Sequence, residues 1–400
     1  NNSARQSTSE PLATTNAAGN PGSIVAYVGT NIFDNSLDPV KGAISWGYSF
    51  TNAALLKVNP ESEYVGDMAV DWHISDDALV YTFNLRQGVK FSDGNEMKAS
   101  DVVFTYETVK AKQAENENVD LSRLDAVRAV GDYKVEFRLS EPYSPFLDTT
   151  AMLGIVPADT YDSTVFNQKP IGTGPWKIIQ YDPNQQIIVA PNEHYYEGAA
   201  PIDRITLVYM DNEAALAAAH SGQLDIVMVN PDYAAEQVKG MSLIPLETMD
   251  IRNISLPVQP EQVKNGKKTG NNVTSDPAVR EALAIGIDRQ AIIQNAYNGV
   301  GKPAVGFMGN LNWANAETYA DNRVAEAVAL LEKAGWVDSD ADGIREKNGV
   351  LCEFDVYAVQ DRYVLAAALA ADAARLGISI KPHSASWDQI AANLNTAGVV

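Results

Sequence analysis

The sequence predicts an α/β protein built from two lobes, and three observations carry that expectation. A chain of 400 residues exceeds one ordinary domain. Its first half mixes alternating strand patterns with short helices, whereas its second half runs strand and helix in succession, the pattern of βαβ units. Apolar residues make up 46% of the chain, enough for substantial cores, yet no window approaches 18 uninterrupted apolar residues, so no membrane-spanning helix is expected.

The elements follow in order. Residues 1–22 are rich in Ser, Thr, Asn and Ala and carry almost nothing large and apolar. Such a segment buries too little to offset its ordering entropy and is expected to be a flexible tether; it also lacks the charged and apolar regions of a signal peptide. Residues 23–28 read as a strand that Gly29 ends, and residues 53–56 read as a helix. From Val80 to Leu85 a period of two presents Tyr81, Phe83 and Leu85 on one face, a half-buried strand that Gly88 breaks. Ser92-Asp93-Gly94 is turn chemistry, and Ser100 or Asp101 is expected to cap a helix beginning at Val102. Residues 134–139 alternate cleanly, and residues 178–191 and 205–209 read as further strands. In Gly172-Thr173-Gly174-Pro175-Trp176 the glycines read as a tight turn that delivers Trp176 to a core. An Asp-Asn start opens an alanine-rich helix over residues 211–220.

In the second half, Asp276 as cap, Pro277 in the first turn and Gly299 past the end bracket one amphipathic helix through Val279, Leu283, Ile287 and Ile292. Another runs from about Arg323 to Ala334 and stops at Gly335. A third carries Leu365, Leu369, Ala373 and Leu376 on one stripe, ends at Gly377 and feeds a strand at residues 378–380.

Composition excludes several functions. Thirty basic against 51 acidic side chains leave a formal charge of −21, which repels phosphate backbones, so nucleic acid is not an expected partner. The single Cys352 allows no intramolecular disulfide and no cysteine zinc cluster, and reads as a small buried strand residue. His73, His194, His220 and His383 show no paired spacing. Ser92 and Ser100 lie near acids, but no nucleophile motif or dedicated base accompanies them. No enzyme constellation survives, and no cofactor is required.

One metal-binding pattern remains. Asp338, Asp340, Asp342, Ile344 and Glu346 fit the first nine positions of a calcium loop, with Gly343 at the sharp turn. Gly349 stands where the twelfth position usually supplies a bidentate acid. An acidic surface turn is the competing reading, and a calcium here would be structural. For a small-molecule site the candidates are aromatics and polar groups beside predicted loops: Asn31, Trp46, Tyr48, Trp313 and Trp387. Core packing competes with each of them.

Residues 80–107, the GTGPW run, residues 192–198, 221–225, 276–283, 330–336 and 343–346 closely resemble, in the same order, the family 5 solute-binding proteins of ABC importers. That branch contains oligopeptide, dipeptide and nickel receptors. The resemblance implies a two-lobed periplasmic-binding-protein-like fold of type II, with an extra subdomain in lobe I. By analogy the lobe I core holds residues 23–50 and 166–255, the extra subdomain residues 51–165, and lobe II residues 256–400, the chain stopping inside that lobe. It further implies a monomer, no enzymatic activity, an ABC permease and ATPase as partners, and an extracellular place as a cell-surface lipoprotein or periplasmic protein. Ligand capture is expected by closure of two lobes.

Arg362, in a run resembling the dipeptide-receptor segment whose arginine meets the peptide carboxylate, is the implied anion contact, with a surface ion pair to adjacent Asp361 as the rival account. Trp46 and Tyr48 stand where family members place ligand-facing aromatics. The nickel branch depends on an arginine near residues 151–156 and an arginine–tryptophan pair near residues 111–119, and neither region offers them. Short peptides are therefore the expected ligand, a nickel chelate the alternative, and a sensor uncoupled from transport the rival class.

Overall fold

In the computed structural model the described residues are 22–29, 36–43, 50–116, 118–246, 248, 250–264, 266–304, 306, 314 and 320–391. The expected tether lies outside them except for Gly22. Two compact units result, Asn1–Met228 and Val229–Val400. Residues 229–255, which the resemblance gives to lobe I, group with the second unit.

The first unit holds two cores. Strands β1 (Ser23–Tyr27), β2 (Leu56–Val58), β3 (Tyr64–Gly66), β4 (Ala69–Ile74), β5 (Val80–Leu85), β6 (Leu124–Ala129), β7 (Lys134–Leu139), β8 (Trp176–Asp182), β9 (Gln186–Pro191), β10 (Arg204–Val208) and β11 (Ile226–Val227) build it. One sheet runs β11-β1-β10-β9-β8, with β1 parallel to both β10 and β11 and the β8–β9–β10 part antiparallel. Ala26, Ile187, Val189 and Leu207 form its core.

The other sheet is an antiparallel β4-β5-β7-β6 array. Alternation decides its faces: Tyr81, Phe83 and Leu85 of β5 and Val135, Phe137 and Leu139 of β7 are all buried. Helix Ala99–Ala111 packs across β6 and β7. Phe137 meets Phe83, Tyr106 and Phe146 edge to face, with centroids 5.6, 4.7 and 5.4 Å away.

Three local expectations are corrected in this unit. Residues 53–56 form no helix; they run extended into β2. All four are buried, and their carbonyls accept non-local amides: Ile155 on Ala53, Met68 on Ala54, and both Asp67 and Ala69 on Leu55. A short apolar run without a cap takes whichever backbone partners the fold offers it. The helix expected from Val102 begins at Ala99, capped by Lys98, because Asp101 sits one turn in and accepts the Lys98 amide at 2.8 Å. The GTGPW run is a bend without a hydrogen-bonded turn, and Trp176 packs against the core of the first sheet as expected; the glycines act otherwise. They permit close approach, since a Cβ on Gly172 would stand 2.0 Å from the Thr51 carbonyl oxygen and one on Gly174 2.6 Å from that of Phe50.

The second unit contains β12 (Gln262–Lys264) and β13 (Lys267–Thr269), the small pair β14 (Glu346–Lys347) and β15 (Val350–Leu351), and the parallel pair β16 (Glu353–Ala358) and β17 (Ser379–Ser384). Helix Gln360–Ala373 joins β16 to β17, a βαβ unit closed by Gly377 at φ 74°. Val279, Leu283, Leu331, Trp336, Cys352, Phe354 and Ile380 share one core. Burial pushes the Cys352 thiol up to about 12, so it stays protonated at neutral pH.

The single helix expected between Asp276 and Gly299 is two helices, Pro277–Gly286 and Arg289–Tyr297. Ile287 leaves helical geometry at ψ 153°, and Asp288 caps the second helix by accepting the Ala291 amide at 2.9 Å. Apolar periodicity runs through this break because each helix buries an apolar face, Val279, Ala282 and Leu283 in the first and Ile292 and Ala296 in the second, whereas the aspartate that interrupts them acts through a cap.

Candidate functional site

The parallel register of β16 and β17 brings their carboxyl ends side by side, and two of the candidate residues sit just beyond them. Val359 is extended and caps the helix in which Arg362 stands one turn in, its amide bonded to the Val359 carbonyl at 2.8 Å. After β17, Ser386 and Gln389 exchange hydrogen bonds that start a helix at Trp387. Arg362 and Trp387 therefore meet although 25 positions separate them. The guanidinium carbon lies 5.2 Å from the indole centroid, a cation–π arrangement, and Trp387 is 59% exposed.

Three residues that the sequence reading missed complete the cluster. Asp250 Oδ1 lies 3.9 Å from Arg362 Nη2, and its Oδ2 accepts from Arg252 Nε at 3.1 Å. Arg252 Nη1 donates to the Tyr297 hydroxyl at 2.6 Å. Burial pushes that hydroxyl's pKa up, Arg252 opposes the shift, and Asp361 and Asp232 add to it. The counter-charge at Arg362 is thus Asp250, not adjacent Asp361. Arg362 Nε is shut off from solvent and has no hydrogen-bond partner, so the accessible part of this one-third-exposed planar donor is its terminal nitrogens. No local signal marks Asp250 or Arg252, because both lie in irregular chain. Asn31, Trp46, Tyr48 and Trp313 lie outside the described residues.

The acidic loop forms a second cluster. Carboxylate oxygens of Asp338, Asp340 and Glu346 lie within 4.8 Å of one another. Asp338 Oδ2 accepts the Gly343 amide at 3.1 Å, and the Ser339 amide donates to Glu346 Oε1 at 2.9 Å. Asp338 Oδ1 and Glu346 Oε2 are closed to solvent without a partner. The Asp342 carboxylate turns to the Ile344 amide at 2.8 Å instead of joining the three. Of the serines, Ser92 turns its hydroxyl to the backbone, Oγ accepting from the Gly172 amide at 3.4 Å. His383 is exposed, stacked on Tyr357 and 2.6 Å from Asp355 Oδ1.

The chain is similar to known proteins over most of its length. Residues 63–398 match the model of the bacterial extracellular solute-binding proteins, family 5 middle region. The chain is 32% identical to protein XP55 of Streptomyces lividans over 342 residues, covering 82% of this chain, and 30% identical to the oligopeptide-binding protein AppA of Bacillus subtilis over 342 residues, covering 80%. It spans about 60% of the length of these curated relatives. The structure of NikZ from Campylobacter jejuni in complex with Ni(L-His) superimposes with a TM-score of 0.74 over 92% of this chain and 74% of that one, at 24% identity, a likeness of fold. No described helix is long and apolar enough to cross a membrane. With signature segments, fold and family model in agreement over most of its length, the chain belongs to the bacterial extracellular solute-binding proteins of family 5.

Proposed function

We infer that this protein is the substrate receptor of an ABC importer and that its ligands are short peptides whose terminal carboxylate meets Arg362. The observation that carries this reading is the partly exposed Arg362 guanidinium, only loosely paired with Asp250 at 3.9 Å, beside the exposed face of Trp387 at the carboxyl ends of two parallel strands. Ligands of open α/β sheets bind at such strand ends, and a planar cation matches a carboxylate in two parallel hydrogen bonds. The peptide ligand in the name of the relative AppA points the same way. Capture by lobe closure and delivery to a permease belong to the same proposal, as does an extracellular or periplasmic place with a lipid anchor.

A nickel chelate is the alternative, since the structure of NikZ carries one. Residues 151–156 weigh against it: Ala151, Leu153, Ile155 and Val156 are buried and apolar, so this stretch presents no cation to an anionic chelate. Native mass spectrometry of the purified protein separates the readings. Adducts that resolve into peptides on denaturation support the peptide receptor, and binding of added nickel–histidine without any peptide supports the alternative. A protein that binds peptides yet never co-purifies with a permease and ATPase would favour the sensor.

The acidic loop carries a separate, structural proposal. Asp338, Asp340 and Glu346 supply hard oxygen donors of the kind calcium prefers, and the two sealed, unpartnered oxygens would gain a ligand there.

A further inference from the structure

The cluster around Arg362 already contains an anion, and its placing is uneven. Asp250 gives one oxygen to Arg252 in a hydrogen bond of 3.1 Å and leaves the other 3.9 Å from Arg362 Nη2, beyond hydrogen-bond length. One carboxylate therefore serves two guanidiniums, bonded to the first and only paired with the second. Arg252 is fixed from its other side by Tyr297, over whose ring it lies at 5.2 Å. Arg362 has Trp387 on one face and an unpartnered Nε.

We propose that Asp250 is a resident counter-ion of Arg362 that an arriving ligand carboxylate displaces towards Arg252. This inference rests on the reading of Arg362 as the carboxylate contact. A carboxylate that pairs with the terminal nitrogens of Arg362 needs the same Nη2 that Asp250 faces, and two carboxylates at one nitrogen repel each other. Arg252 resolves the conflict because it already holds the far oxygen of Asp250, so a small side-chain rotation hands the whole anion over. Without a ligand, Asp250 keeps Arg362 from standing as an uncompensated cation, and it sets a threshold that only an anionic end group overcomes. Uncharged peptide ends gain nothing from the exchange, so Asp250 and Arg252 together determine specificity.

The test uses tri-alanine and tri-alanine amide as probes, with calorimetric titration of the whole chain and of the Asp250→Asn, Arg252→Met, double and Arg362→Ala variants. Removing the competitor in Asp250→Asn is expected to tighten tri-alanine binding about two- to five-fold, the worth of one partly exposed ion pair, and to leave the amide unchanged. Arg252→Met removes the acceptor of the displaced anion and is expected to weaken tri-alanine binding by a similar factor. That loss should vanish in the double variant, which separates an electrostatic role from a folding defect. Unchanged or weaker tri-alanine binding in Asp250→Asn, with binding weakened about ten-fold or more in Arg362→Ala, would overturn the displacement and leave the carboxylate contact standing. Failure of Arg362→Ala to alter tri-alanine binding, or no tri-alanine binding by any variant, would overturn both.

Discussion

The amide of Ser92 donates to the carbonyl of Gly172 at 2.9 Å, and so joins the two segments by which the family is recognised. In return the Gly172 amide points at Ser92 Oγ at 3.4 Å. A few residues on, the Gly174 amide bonds the Thr51 carbonyl at 2.8 Å and the Trp176 amide bonds that of Phe50 at 3.1 Å. Two motifs 80 positions apart are thus neighbours along one seam of backbone contacts, and glycine lets the chains approach that closely.

Gly172→Ala places a methyl 2.0 Å from the Thr51 oxygen, a backbone atom that no side-chain rotation relieves. Overpacking of this kind costs about 1–3 kcal/mol or more. The urea midpoint should fall accordingly, while Ser92→Ala, which keeps the 2.9 Å bond and loses only the longer contact, should barely move it. Equal losses in both variants would show that the hydroxyl, not the close approach, holds the seam.

Asp276 caps helix Pro277–Gly286 and also accepts from the Trp336 indole at 3.0 Å and from Lys347 at 2.8 Å. Burial alone would raise its carboxyl pKa, but Lys347, the Ala278 amide and Trp336 outweigh burial and hold it below the ordinary carboxylate value. A depressed acid contributes stability that is present above its unfolded pKa, about 3.9, and is lost as pH falls through the folded value. Asp276→Asn should therefore cost about 1–3 kcal/mol at pH 7 and progressively less below pH 4. Denaturant melts at pH 7 and pH 3 check this, and a gap that stays constant with pH would refute it.

For the ligand contact, Arg362→Ala should weaken a free-acid tripeptide about ten- to a hundred-fold, the worth of a hydrogen bond to a charged group. Trp387→Ala should cost only about two- to five-fold, since an exposed cation–π pair contributes little. Titration calorimetry reads both. A larger effect from Trp387 than from Arg362 would mean that the ligand is held by stacking, not by its charge.

Millimolar calcium should raise the melting temperature, because a ligand bound only by the folded state stabilises it by about 2.7 kcal/mol at a hundred times Kd. Asp340→Asn should abolish the rise by removing one of the three converging carboxylates. Magnesium should do less, as it keeps its waters more tightly. A melting temperature indifferent to calcium would reduce the loop to a surface turn.

Much of the fold was readable from local chemistry. The alternation of residues 80–85 and 134–139 appears as inward-facing side chains of β5 and β7, the Asp211 and Asp276 caps open their helices, and Gly377 ends the last one as expected. Two of the failures share a cause. Residues 53–56 and the break at Ile287–Asp288 depend on distant partners, the amides of residues 67–69 and 155 in one case and Asp372, which accepts the Asp288 amide at 2.8 Å, in the other.

For the site, the sequence by itself singled out Trp387, because it follows a strand, and Arg362, because its run resembles the dipeptide-receptor segment, and it marked the acidic loop by its spacing. Only the tertiary structure decided that the two residues meet, since parallel pairing of β16 with β17 puts their carboxyl ends together. It likewise chose Asp250 over Asp361 as the counter-charge and turned Asp342 out of the carboxylate cluster. The physical reason is range. Periodicity and capping act within a few residues and can be read along the chain, whereas an ion pair or a stacked cation is set by distance in space.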